Sequence, residues 1–154
     1  MKRYSRRRFL STTTTGTVAA FLGGYVESAS SSPNDQIAVA LIGINGIGMS
    51  HVRQIAANRL ARVVALCDVD DAVLARGVTR VKEATGKTPQ TTHDYRTIID
   101  DTSIDAVVIA TPHHWHCPIA VPALLAGKDV YIEKPASHVF HEGHLLVEIG
   151  RAHV

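Results

Sequence analysis

The run Gly43-Ile44-Asn45-Gly46-Ile47-Gly48 constrains this chain most, because it closes an apolar stretch, Ile37-Ala38-Val39-Ala40-Leu41-Ile42, and opens a helical pattern. The first turn of a helix leaves backbone N–H groups unpaired and carries partial positive charge. Glycines that let a phosphate approach the backbone there create an anion site, where a dinucleotide pyrophosphate would rest. Asn45 stands where the GxGxxG pattern places its second glycine, the one nearest the phosphates. Asparagine tolerates left-handed backbone better than most residues, but its side chain occupies space.

A second apolar run, Val63-Val64-Ala65-Leu66-Cys67, ends in Asp68, twenty positions after Gly48. A carboxylate at that spacing can accept hydrogen bonds from the adenosine ribose hydroxyls and repels a 2′-phosphate. NAD is therefore favoured and NADP disfavoured. A competing reading is local: Asp68-Val69-Asp70-Asp71 also suits the N-cap of a helix beginning Ala72-Val73-Leu74. Arg53, Arg59 and Arg62 supply no obvious alternative phosphate clamp.

With 154 residues, 45% of them hydrophobic, the chain can bury one domain core, and its length argues against two full domains. The net charge is only +2, and much of the positive charge lies in the first eight residues, so no basic face for nucleic acid is implied. Those residues open the layout of an export signal: a basic start, an uncharged stretch from Ser11 to Val26, then small residues from Ser28 to Ser32. Ser5-Arg6-Arg7-Arg8-Phe9-Leu10 resembles the twin-arginine consensus. The plainer alternative is a basic tail. A retained anchor is disfavoured, because the threonines from Thr12 to Thr17 and the glycines after them interrupt an apolar run that must reach about 20 residues to span. The expectation is a signal peptide over 1–30, a linker over 31–35 and an NAD(P)-binding domain over 36–154. The destination would be the periplasm, reached already folded, with membrane contact only through the signal. Cys67 and Cys117 sit on different inferred elements and read as small buried hydrophobes rather than a disulfide pair.

From Gln36 onward, strand-like runs alternate with helical stretches, which predicts an α/β fold with a doubly wound, Rossmann-like parallel sheet. The strands fall at 37–42, 63–67, 106–110 and 130–132, with a short weaker one at 90–92. Helices fit 47–58, 71–84, 95–99, 118–126 and 142–153.

Two more runs stand at strand ends, where open parallel sheets bind ligands: Ala110-Thr111-Pro112-His113-His114-Trp115-His116 and Glu133-Lys134-Pro135. Together with the glycine turn, Cys67-Asp68-Val69-Asp70, Asp94-Tyr95-Arg96 and Ala126-Gly127-Lys128, they make the chain from Gln36 to Val154 resemble the Gfo/Idh/MocA oxidoreductases. The resemblance implies an N-terminal Rossmann domain that binds NAD or NADP, followed by an α/β domain that binds a sugar, inositol or related polyol. It implies a cofactor cradle of Gly43, Ile44, Asn45, Gly46, Ile47, Gly48 and Asp68. Thr111, Pro112 and His114 would stand toward the nicotinamide, His116 would also contact the cofactor, and Glu133 and Lys134 would reach the nicotinamide ribose and the substrate. Lys134 is then the catalytic candidate, since an ammonium beside a reacting hydroxyl can orient it and ease its deprotonation. Trp115 is expected to pack beside the cofactor pocket.

Nine histidines invite a metal reading, yet neighbouring histidines in one loop seldom converge on a point. His141, His144 and Glu148 do share helical spacing, but a solvated helix face explains them and no metal is expected. Against the family pattern, the chain is expected to be truncated before the substrate domain, through whose sheet the family's homo-oligomers associate. Three readings follow: the nucleotide-binding part of an exported oxidoreductase acting on a sugar or polyol, an inactive stand-alone NAD-binding module, or a truncated frameshift product.

Overall fold

The computed structural model describes residues 36–152. The expected signal peptide and linker lie outside the described residues. Among the described residues, five parallel strands form one sheet: β1 (Ile37–Ile42), β2 (Ala61–Cys67), β3 (Gln90–Thr92), β4 (Ala106–Ile109) and β5 (Asp129–Ile132). Their order is β3-β2-β1-β4-β5, so the winding reverses between β1 and β4. Crevices for ligands open beyond the carboxyl ends of the strands at such a reversal.

Among the described residues, five α-helices cover the two faces: α1 (Ile47–Ala56), α2 (Asp71–Thr85), α3 (Tyr95–Asp100), α4 (His116–Leu125) and α5 (Phe140–Ala152). The central strands are apolar throughout because both faces are buried, and successive side chains point to opposite layers. Thus Val39 and Leu41 enter a core with Val52, Leu66, Val73 and Val81 beneath α1 and α2. Ala40 and Ile42 enter the other, with Ile98, Val107, Ile109, Ile119 and Ala120, beneath α3 and α4.

Local chemistry fixes the helix ends. Asp70 caps α2, its carboxylate accepting the Ala72 and Val73 backbone N–H groups, and left-handed Gly86 closes it. Asp94 caps α3 by accepting the Arg96 N–H. The helix start is therefore marked by Asp70, and Asp68 is left for other partners. The run after β4 differs from expectation: Pro112 is followed by a 3-10 turn, His113–Trp115, and α4 begins at His116, two residues earlier than its pattern suggests.

Candidate NAD-binding site

Gly43 leaves β1 with φ +77 and donates its N–H to the Cys67 carbonyl at 2.8 Å. A Cβ on Gly43 would sit 2.7 Å from the Thr111 nitrogen, so only glycine lets the β1 turn lie against the end of β4. Gly48 is buried, and a Cβ there would collide with the Gly43 carbonyl. It brings α1 down onto its own turn. Gly46 instead faces open space, with φ +52 and no atom within 4 Å of a Cβ. No side chain caps α1 and no acid occupies its first turn, so its positive end is left uncompensated. Asn45 is exposed and its Oδ1 accepts the Gly46 N–H at 3.0 Å.

Asp68 faces the same turn from the end of β2. Its Oδ2 accepts the Ile44 N–H at 2.8 Å and its Oδ1 accepts the Asp70 N–H at 3.2 Å. A carboxylate has about four acceptor positions, so lone pairs remain for further donors. A cleft of about 760 Å³ opens here, lined among others by Gly43, Asn45, Asp68, Asp70, Tyr95, Arg96, Thr111, Pro112 and Trp115. Tyr95 and Trp115 meet edge to face with centroids 6.3 Å apart. The Thr111 hydroxyl is buried without a hydrogen-bond partner among the described residues, an unusual state for a buried donor. This unpaired hydroxyl, the open glycine turn and the uncapped helix end together fit a dinucleotide.

Three residues expected at the cofactor are interior instead. Ile44 is fully buried, its side chain against Gly77 and its N–H already held by Asp68. The Gly48 N–H bonds the Asn45 carbonyl, so this glycine serves helix packing. His116, only 1% exposed, sets Nδ1 2.7 Å from the Pro135 carbonyl and Nε2 2.8 Å from the Thr111 carbonyl. The ring clips the loops after β4 and β5 together rather than facing a ligand. Its position at the start of α4 explains this: the helix points the ring inward between the loops.

His114 is exposed and lies outside the cleft lining, with its ring 5.9 Å from that of His113. Glu133 and Lys134 follow the end of β5, also apart from that lining. Glu133 Oε1 lies 2.7 Å from His51 Nε2 on α1, a partnership the sequence pattern did not single out. That bond, followed by the Lys134 N–H at 3.1 Å, holds the Glu133 carboxyl below its ordinary range. The Lys134 side chain is exposed and makes no hydrogen bond or ion pair among the described residues. Among those residues no three metal-ligating side chains gather.

Cys67 is buried at the end of β2, and burial followed by the Asp68 and Asp94 charges pushes its thiol up to about 12. Iodoacetamide at pH 8 is expected to label Cys67 in the folded chain at least about a hundredfold more slowly than in urea, since the thiolate is the nucleophile. Mass spectrometry reads the rates, and equal labelling in both states would contradict this environment.

A family model for the Gfo/Idh/MocA group, an oxidoreductase family with an NAD-binding Rossmann fold, matches residues 37–153. The chain belongs to this family. Its Rossmann sheet and NAD as cofactor thus agree with the sequence expectation. Among its relatives, glycosyl hydrolase family 109 protein 2 of Shewanella sp. (strain ANA-3) is 35% identical over 132 residues, covering 83% of this chain and 29% of that protein. A myo-inositol 2-dehydrogenase from Lactobacillus plantarum is similar in structure with a TM-score of 0.66 at 27% identity, over 77% of this chain and 34% of that one. Levoglucosan dehydrogenase, solved with NADH and levoglucosan, gives a TM-score of 0.67 at 29% identity, over 75% of this chain and 32% of that one. The chain spans about a third of the length of these relatives.

Proposed function

We propose that this chain is the nucleotide-binding part of an exported oxidoreductase that passes hydride between NAD and a sugar or polyol. The observation carrying this reading is the buried, unpartnered Thr111 hydroxyl in a cleft that also holds the glycine turn and Asp68. In this reading the α1 N-terminus and Gly46 receive the pyrophosphate, and the free lone pairs of Asp68 accept the adenosine ribose hydroxyls. Thr111 and Pro112 stand toward the nicotinamide. When bound, the nicotinamide supplies a hydride acceptor for the carbon bearing the substrate hydroxyl. Lys134 orients that hydroxyl and eases its deprotonation, while His51 and Glu133 fix the strand end that carries it. Residues 1–30 act as the twin-arginine signal, delivering the folded chain to the periplasm.

Titrating NADH into the full chain, with nicotinamide fluorescence as readout, tests the site. Saturable binding is expected, weakened about tenfold or more in Asp68→Asn, since a charged acceptor is lost at the ribose. No binding by a folded chain, or equal binding by the variant, sinks the assignment.

The relatives named glycosyl hydrolases favour a second reading, net cleavage of a glycoside without net change in the nicotinamide. Aglycone release without accumulation of NADH, in a preparation that also holds a substrate domain, would select it over net oxidation.

A further inference from the structure

We infer that Asp94 is a cofactor-specificity residue: it masks the charge of Arg96 and so denies a nucleotide 2′-phosphate its cationic partner. The inference rests on the reading of the cleft as the NAD site. Among the described residues, Arg96 is the only lysine or arginine that lines the cleft.

The backbone places the pair beside the ribose end. Thr92 pairs with Cys67 across the β2–β3 ladder, and the Asp68 N–H donates to the Thr92 carbonyl at 3.3 Å. Asp94 and Arg96 follow directly, on the wall next to Asp68. The Arg96 Nη1 donates to both Asp94 carboxylate oxygens at 3.2 Å, and the Arg96 backbone N–H donates to Oδ1 at 3.0 Å. The guanidinium also lies over the Tyr95 ring, 5.2 Å from its centroid. Held on both sides, the cation presents a nearly neutral pair to the cleft. Bonding to Arg96, led by its backbone N–H, keeps the Asp94 carboxyl below its ordinary range and hence ionised.

Asp68 alone does not complete the discrimination. An arginine on the cleft wall is the group that ordinarily accommodates a 2′-phosphate. In the native chain a phosphate drawn toward Arg96 would stand against the carboxylates of Asp94, Asp68 and Asp70 at once. Removing the Asp94 charge leaves a net cation there and one repulsive group fewer. Both side chains are largely solvated, so the pair can be separated without disturbing a core.

Asp94→Asn is the informative change, because asparagine caps a helix about as well as aspartate and α3 keeps its start. NADH and NADPH are titrated separately into the full chain, the variant, and the double variant Asp94→Asn/Arg96→Gln, at low salt. The Kd ratio of NADPH to NADH is expected to fall about tenfold in Asp94→Asn, the scale of a charged hydrogen bond. It returns toward the native ratio in the double variant. An unchanged ratio in an Asp94→Asn chain that still binds NADH overturns the inference, as does an equal fall in the double variant. A native chain that binds no NADH overturns the cleft reading itself, a result distinct from either.

Discussion

Gly48→Ala is expected to lower the melting temperature by about 8 °C and to abolish measurable NADH binding. The added methyl would occupy the position of the Gly43 carbonyl oxygen, a backbone atom with no rotamer to escape into. Overpacking of this kind costs about 1–3 kcal/mol, whereas the better helix propensity of alanine returns at most about 1 kcal/mol. Near the upper end of that range the net loss is about 2 kcal/mol, at about 4 °C for each kcal/mol in a domain of this size. Relief requires α1 to move off the turn, carrying the phosphate-facing N–H groups with it. Calorimetry and an NADH titration read the two consequences, and native values for both would show that α1 is not seated as described.

His116→Phe is expected to destabilise the domain by about 1–3 kcal/mol while keeping a flat ring at that position. Phenylalanine fills the space but donates nothing, so whichever of the Thr111 and Pro135 carbonyls accepts the imidazole N–H loses that partner inside the fold. Each buried acceptor left unpaired costs about 1–3 kcal/mol. A neutral imidazole donates through one nitrogen at a time, so a glutamine, whose amide carries two donors, is expected to recover part of the loss. Urea denaturation distinguishes these cases. A Phe variant as stable as the native chain would mean that the ring is held by packing alone.

The elements that were legible in the sequence are those whose signal is local. β1 ends where its pattern ends, at Ile42, and the capping of α2 by Asp70 could be read from Asp-Val-Asp-Asp. β2 begins two residues before its apolar run because Ala61 and Arg62 are recruited by pairing with Ile37 and Ala38, a contact no local pattern records. The resemblance set His116 toward the cofactor, whereas the ring is buried between a backbone acceptor five residues earlier and one nineteen residues later. The same limit applies to the site. That Asp68 stands beside the glycine turn could be read from its spacing, but the His51–Glu133 pair spans 82 positions and only the sheet order brings it together. Tyr95 and Arg96 had a motif but no role until β3 placed them on the cleft wall.

All of the residues assigned to ligands stand at the carboxyl end of the sheet, and the α2–β3 connection leaves from the other end. There Gly86 turns the chain with φ +72, and Gly86, Lys87 and Thr88 are exposed. A tether inserted at this bend would immobilise the domain with its cleft toward solution. A sensor for dissolved nicotinamide nucleotide could therefore be anchored by one surface loop without touching the part that recognises its analyte.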